Sequence, residues 1–124
     1  MNTDVLTAFQ NDYLTTWTEP DPEQRRRNIE RVWVPDGRLA VSSLGITIEG
    51  VGDINAHVSR VHDDLIAGKG LTFTYDQHIE SDDSLLLRWS MLAPSGDVVG
   101  RGVDVVFRSP DGRVQTVYMF MGVS

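Results

Sequence analysis

The stretch GRGVDVVFRSPDGRV, residues 100–114, contains the feature that decides how the sheet of this protein is built. Its first part alternates at a period of two, which is typical of a half-buried strand, and SPDG has the residues of a tight turn. Asp104 lies in the middle of this strand with apolar neighbours on both sides. Because an unpaired carboxylate in an apolar wall costs several kcal/mol or keeps its proton, the position of Asp104 indicates a specific role.

The two turns that flank this strand predict which residues face Asp104. Hairpins closed by residues 94–97 and 109–112 place Leu87 and Val117 opposite Asp104. The same register brings a set of apolar side chains onto the face of Asp104, namely Trp89, Met91, Val106, Met119 and Met121. An apolar, aromatic and Met-lined surface around one polar group is the composition of a small-molecule pocket, so we predict a ligand-binding pocket here.

Two further features belong to this predicted pocket. Gly102 lies opposite Trp89 in this register and Gly100 lies two residues before it, and both glycines are expected to leave room in front of the wall. Trp17 and Trp33 are additional candidates for ligand contact, although tryptophan more often belongs to the core.

The other elements predict a single α+β domain over the whole chain, 1–124. Apolar residues at helical spacing cover 4–17. Asp21, followed by proline, is a strong helix start, so a second helix is expected to run to about Trp33. A strand pair follows around Gly45, and the remaining elements are a helix near 52–67 and strands near 71–80, 84–93, 98–108 and 113–123. Helices first and antiparallel strands afterwards predict a curved sheet packed on three helices.

Composition excludes several classes of function. The chain has 124 residues, a net charge of −7 and no cysteine, so we expect one domain without disulfides or thiolate metal sites. No apolar run approaches the roughly 18–20 residues that span a bilayer, and the first residues carry no basic region before an apolar stretch. We therefore expect a cytoplasmic protein without nucleic acid or membrane partners, and we expect the arginines at 25–27 to form a solvated helix face.

The three histidines are candidates for acid–base chemistry or metal binding. His57 lies beside the apolar stripe of the third helix, where a role at the pocket mouth and a locally bonded, partly buried role are both open. His78 shares the predicted strand face of Thr74 and Asp76 and is expected to be solvated or at an interface, and His62 is expected at the surface. Their spacing matches no metal motif, so we predict neither a metal nor a cofactor.

The order of these elements and four stretches of sequence resemble the SnoaL-like branch of the nuclear transport factor 2-like (NTF2-like) superfamily. The stretches are YLTTWTEPDPEQRRRNIERVWVPDGRL, IEGVGDINAHV, LLLRW and GVDVVFRSPDGRV. The resemblance covers almost the whole chain and implies a cone-shaped, curved antiparallel or mixed sheet. The superfamily includes ketosteroid isomerase, scytalone dehydratase, limonene epoxide hydrolase and polyketide cyclases, so the fold alone does not choose an activity.

The resemblance to ketosteroid isomerase assigns roles to some residues only. Tyr13 and Asp104 match the oxyanion-binding tyrosine and the protonated aspartic acid of that enzyme. Its general base does not carry over, because the matching stretch LAVSS offers Val41 or Ser42, and Asp36 comes too early. Steroid isomerisation is therefore not expected.

Three kinds of function remain open. The first is a cofactor-free isomerase, cyclase, dehydratase or epoxide hydrolase that uses Asp104, Tyr13 and His57. The second is a non-catalytic protein that binds a hydrophobic cyclic or polyketide-like molecule, which the missing base favours. The third is a scaffold whose sheet assembles a dimer. We expect a homodimer through the outer, apolar sheet face, as the resemblance also implies, and that face carries Arg101, Val103, Val105 and Phe107.

Overall fold

Three helices pack on one face of the sheet, as the sequence predicts. The computed structural model of the chain describes residues 3–122, and its helices are α1 (Thr3–Thr18), α2 (Pro22–Val32) and α3 (Val51–Val61). The Asp21 side chain accepts a hydrogen bond from the Glu23 amide, which confirms the predicted start of α2. α3 continues directly into a π-helical turn at His62–Ala67, which lies within the predicted third helix.

The strands form one mixed sheet. They are β1 (Trp33–Val41), β2 (Ile46–Glu49), β3 (Thr72–Ser81), β4 (Ser84–Leu92), β5 (Val98–Arg108) and β6 (Val114–Met121). Their order across the sheet is β2-β1-β6-β5-β4-β3. β1 and β6 pair in parallel, whereas the other neighbouring pairs are antiparallel. The predicted α+β class, with a mixed sheet packed on three helices, is confirmed.

β1 begins earlier than its sequence indicates. Pro35, Asp36 and Gly37 read as a turn, yet the structure keeps them inside a strand that begins at Trp33. The register of β1 against β6 shifts between Trp33 and Arg38, so the irregular part of the strand contains these turn-type residues. Gly37 is needed there, because a Cβ atom at this position would lie 2.5 Å from the Trp33 ring.

The pairing of β4 with β5 agrees with the predicted register, but the space expected in front of its glycines is filled. Trp89 lies opposite Gly102, and Met91 lies opposite Gly100. A Cβ atom on Gly102 would lie 2.2 Å from the Trp89 ring, and one on Gly100 would lie 2.8 Å from the Met91 methyl group. The glycines therefore accommodate these two side chains, and the room for a ligand lies elsewhere.

The sequence prediction for the pairing of β5 with β6 is wrong by two residues. Leu87 lies opposite Asp104 on β4 as expected, but Met119 lies opposite Asp104 on β6 in place of Val117, which pairs with Val106. A bulge at the end of β5 and a wider turn cause the shift. Because the shift is even, the residues of β6 keep the faces that the sequence predicts.

Arg25 departs from the predicted solvated face of the arginines at 25–27. Its side chain is only 1% exposed, and its guanidinium donates to the Glu19 carbonyl at 2.7 Å and to Ser59 Oγ at 3.4 Å. Arg26 and Arg27 keep much of their side chains in solvent. Arg25 lies three, four and seven residues before the other buried positions of α2, so it belongs to the inward helix face.

Candidate functional site

A cavity of about 150 Å³ lies between the inner face of the sheet and the α1 and α3 side of the molecule. Its aromatic wall consists of Trp17, Phe73, Tyr75 and Trp89, and the methionines at 91, 119 and 121 also line it. Leu44 and Met121 line the cavity and are 59% and 41% exposed, so they mark its mouth. The side chains of the wall with acid–base or hydrogen-bonding chemistry are Trp17, Ser43, His57, Tyr75, Trp89 and Asp104.

Asp104 is the buried acid of this cavity. Its side chain is 3% exposed, and Trp89 Nε1 donates a hydrogen bond to its Oδ1 at 3.0 Å. Within residues 3–122, no other side chain forms a hydrogen bond to this carboxyl. Burial raises the pKa of Asp104 from 3.8 to about 7, whereas the Trp89 hydrogen bond acts in the opposite direction. Near neutral pH a large fraction of the molecules therefore carries an uncharged acid that can donate a hydrogen bond.

Trp89 reaches Asp104 because it lies opposite a glycine. The indole of Trp89 covers the backbone of β5 at Gly102, where a Cβ atom would also lie 2.6 Å from the Phe120 carbonyl oxygen. From this position the indole N–H points at the carboxyl two residues further along β5. Phe73 contacts the same indole edge-on, with ring centroids 5.9 Å apart. Gly102 therefore positions the donor that holds Asp104.

Tyr75 is a cavity residue that the sequence did not indicate. Regular pairing from the turn between β3 and β4 would send Tyr75 outward, but a register shift between Tyr75 and Gln77 reverses the faces. Tyr75 consequently lies opposite Trp89 on the inner face. Asp76, at the bulge, bonds on the outer side with Ser90 Oγ and with Thr74 Oγ1, the latter at 3.2 Å.

The same bulge corrects the prediction for His78. This histidine is paired with Leu87, so it lies on the same face of the sheet as Tyr75 and not on the face of Thr74 and Asp76. It remains exposed, because β3 is an edge strand of the sheet.

Tyr13 lies in the core behind the cavity, not in its wall. Its side chain is fully buried, with Phe9 stacked at 6.2 Å and Trp33 at 6.5 Å between ring centroids. Burial, followed by the charge of Asp104, raises the pKa of Tyr13 well above its ordinary value, and Trp17 acts in the opposite direction. The contact with Trp17 falls outside good hydrogen-bond geometry, and the Tyr13 hydroxyl has no partner among the described residues. Tyr13 and Asp104 thus interact electrostatically without sharing the cavity wall.

His57, in α3, and His62, at the start of the π-helical turn, both contact Trp17. His57 is buried and lines the cavity, and its ring meets the Trp17 ring edge-on at 6.2 Å. Burial, with a smaller effect of the Arg60 charge, lowers the pKa of His57. The surface position expected for His62 is wrong, because its side chain is 5% exposed and its Nδ1 lies 2.9 Å from the Trp17 carbonyl oxygen. His62 lies four residues after Val58 and eight after Ile54, both of which are buried, and its backbone N–H bonds the Val58 carbonyl, so ordinary α-helical spacing puts it on the inward face.

The structure divides the predicted site residues into two groups. One group lines the cavity and consists of Trp17, His57, Trp89, Met91, Asp104 and Met119. The other group lies in the hydrophobic core and consists of Tyr13, Trp33, Leu87, Val106 and Val117. Val41, at the position of the isomerase base, is also part of the cavity wall, whereas Ser42 is exposed. Any ligand role for the core group must therefore be indirect.

The described part of the chain has no cluster of His, Cys, Asp or Glu side chains arranged to hold a metal ion. In the same residues, no helix has the length and apolar character needed to cross a membrane.

Solved structures resemble this chain over almost its whole length. A candidate isomerase of the SnoaL-like family from Agrobacterium tumefaciens has 24% sequence identity and a TM-score of 0.83, with 94% of this chain and 97% of that chain covered. A candidate SnoaL-like polyketide cyclase from Jannaschia has 17% identity and a TM-score of 0.68, with 94% and 86% covered. A hypothetical protein with a ketosteroid isomerase-like fold from Catenulispora acidiphila, in complex with trimethylamine, has 11% identity and a TM-score of 0.70, with 90% and 83% covered.

These structures establish the fold. The chain has an NTF2-like fold, and its resemblance to SnoaL-like and ketosteroid isomerase-like proteins is confirmed at the level of structure. No protein-family model matches the sequence, and no curated protein matches it either. The activity must therefore be argued from the site.

Proposed function

We propose that the protein binds one small, mainly apolar molecule in this cavity, and that protonated Asp104 donates a hydrogen bond to an oxygen atom of that ligand. The observation that carries this proposal is a single buried carboxyl in a cavity wall that is mainly apolar and aromatic. The SnoaL-like character of the fold supports it, since those neighbours include a candidate isomerase and a candidate polyketide cyclase.

The size of the cavity limits the ligand. A closed apolar cavity of about 150 Å³ is known to hold a molecule of roughly the size of benzene. The cavity here has a comparable volume and an open mouth at Leu44 and Met121. A single ring therefore fits inside, and any larger part of a polyketide-like ligand would extend past the mouth.

The affinity for such a ligand should fall as the pH rises. If only the protonated form of Asp104 donates to the ligand oxygen, each pH unit above about 7 lowers the affinity by up to about tenfold. A suitable measurement is an NMR titration of the protein with acetophenone, a single-ring ketone, at a series of pH values. Asp104→Asn, which cannot ionise, is the control and should show no such fall.

The opposite trend would contradict this proposal. An affinity that rises through about pH 7 would indicate that the ionised carboxylate pairs with a cation. The aromatic rings of Trp17, Phe73, Tyr75 and Trp89 around one acid would suit a small methylated amine, and one structural neighbour holds trimethylamine. Trimethylammonium is therefore the second probe in the same titration.

Catalysis is the second candidate function, and the acid–base groups of the cavity favour it. The pKa of Asp104, at about 7, suits proton donation at neutral pH, and the lowered pKa of His57 leaves its imidazole neutral and able to accept a proton. Isomerisation, cyclisation and dehydration of a carbonyl compound need such a pair and no cofactor. In an acid catalyst, Asp104→Asn would abolish turnover but keep ligand affinity, whereas a binding protein has no turnover to lose.

We also propose a homodimer through the outer sheet face, assembled in the cytoplasm, as the absence of cysteine favours. Tyr118 and Phe120 of β6 are 39% and 43% exposed, and they lie beside Val105 and Val103 of β5 on this face. The Phe107 and Tyr118 rings meet edge-on at 6.0 Å, which extends the apolar strip. An apolar sheet surface of this kind is typical of a protein interface.

A charge on this face should separate the dimer. Phe120→Glu is expected to give a monomer at micromolar concentration, whereas Leu44→Glu, a change at a residue 59% exposed at the cavity mouth, should leave the dimer intact. Sedimentation velocity measures both variants against the parent. A parent protein that sediments only as a 13.9 kDa species would remove the dimer proposal.

A further inference from the structure

Two tyrosines interact with Asp104, and only one of them reaches the cavity. Tyr75 lies in the cavity wall, whereas Tyr13 is fully buried in the core and absent from that wall. Tyr75 lines the same wall as Asp104 and lies opposite Trp89, whose indole donates to the Asp104 carboxyl. Burial raises the pKa of both phenols most; the charge of Asp104 follows for Tyr13, and the charges of Tyr13 and then Asp104 follow for Tyr75. The resemblance to ketosteroid isomerase implies Tyr13 as the partner of the acid, but the geometry favours Tyr75.

The β-bulge at Asp76 is what brings Tyr75 into the cavity. Ser90 and Thr74 bond the Asp76 carboxyl on the outer side of the sheet. These side-chain hydrogen bonds fix the bulge and so keep Tyr75 on the inner face. The Tyr75 ring then packs against the main hydrophobic core and against the smaller cluster of Leu71, Trp89 and Met91, of which Trp89 lies opposite it. This position is built into the strand and does not depend on a mobile loop.

The hydroxyl of Tyr75 is available to a ligand. Among residues 3–122 it neither donates nor accepts a hydrogen bond within the protein, and unlike the Tyr13 hydroxyl it is not sealed from the cavity. A phenol in such a place keeps its proton at neutral pH and offers one O–H donor. Protonated Asp104 offers a second donor in the same wall, where its carboxyl is bonded to Trp89, the residue opposite Tyr75.

We propose that Tyr75 is a specificity-determining residue that donates, together with Asp104, to one carbonyl oxygen of the ligand. The inference rests on the proposed function and names the ligand class more closely, as a ring-sized ketone or enone. A carbonyl oxygen has two lone pairs and accepts both bonds, whereas a hydrocarbon of the same shape leaves both donors without a partner. The site therefore prefers the carbonyl compound.

Acetophenone and ethylbenzene test this preference, because they share the phenyl ring and the two-carbon side chain and differ only by the carbonyl oxygen. The parent protein is expected to bind acetophenone more tightly than ethylbenzene. Tyr75→Phe should weaken acetophenone binding by about fivefold and change ethylbenzene binding by less than about twofold. Tyr13→Phe is the matched control, and it should leave the ratio of the two affinities unchanged.

The outcomes separate the two proposals. The role of Tyr75 would be overturned if Tyr75→Phe left the ratio of the acetophenone and ethylbenzene affinities unchanged, or if Tyr13→Phe reduced that ratio. The cavity would remain a ligand site in either case. A parent protein that binds neither probe would overturn the proposed function itself and the role of Tyr75 with it. Since phenylalanine keeps the packing ring, circular dichroism of both variants should match that of the parent.

Discussion

Asp104→Asn is expected to become steadily more stable relative to the parent protein as the pH rises from about 4 to about 8, by about 4 kcal/mol in total. The unfolded chain releases the Asp104 proton near 3.8, whereas the folded protein holds it until about 7. The stabilising contribution of this group is therefore complete below the unfolded pKa and is lost as the pH rises through the folded value. Asparagine has no proton to lose, so only the parent declines.

Urea denaturation of both proteins at a series of pH values measures this difference. Other groups with shifted pKa values, such as Glu80, Asp111 and His57, are common to both proteins and cancel in the comparison. The Trp89 indole can still donate to the asparagine carbonyl, so any constant offset in stability does not affect the trend. Parallel curves for the two proteins would show that Asp104 titrates as an ordinary carboxyl and would contradict the account.

Gly102→Ala is expected to destabilise the protein by about 3 kcal/mol and to raise the pKa of Asp104 further. The added methyl group would lie 2.2 Å from the Trp89 ring and 2.6 Å from the Phe120 carbonyl oxygen. The β6 backbone cannot move aside without breaking its pairing, so the indole must shift. A displaced indole no longer donates to Asp104, and the hydrogen bond that lowers its pKa is lost.

Gly52→Ala is the control for this change. Gly52 lies in the first turn of α3, and a Cβ atom there would have no neighbour within 4 Å. Alanine in a helix is more favourable than glycine, so this variant should be as stable as the parent or slightly more stable. Thermal unfolding of both variants gives the comparison, and a Gly102→Ala protein as stable as Gly52→Ala would mean that the indole does not occupy the position described.

The inner face around Asp104 could be predicted from the sequence because the strand registers there were right or wrong by an even number of residues. The predicted β4–β5 pairs hold up to Met91, because a register shift next to Met91 offsets a tighter turn that closes between Ala93 and Asp97. The error of two residues between β5 and β6 did not change the face of any side chain. The helix start at Asp21 was equally clear, because the residues that cap a helix act locally.

Irregular backbone explains what could not be predicted. The bulge at Asp76 reverses the faces of Phe73 and Tyr75. It has no signal in the pattern of apolar residues, because it depends on contacts with another strand, such as that of Ser90 with Asp76. Tyr75 was missed for this reason. His62 was placed on the wrong side although it continues the helical stripe of Ile54 and Val58, because a histidine adds no apolar signal to that stripe.

A carbon-detected NMR titration of the Asp104 carboxyl tests the central claim most directly, with the Asp104→Asn spectrum used to assign the signal. The account holds that burial in an apolar cavity keeps this acid protonated far above its ordinary range. It predicts a midpoint at a pH of about 7. A midpoint at or below 3.8 would mean that the carboxyl is hydrated or paired with a cation, and the protonated donor of the proposed site would not exist.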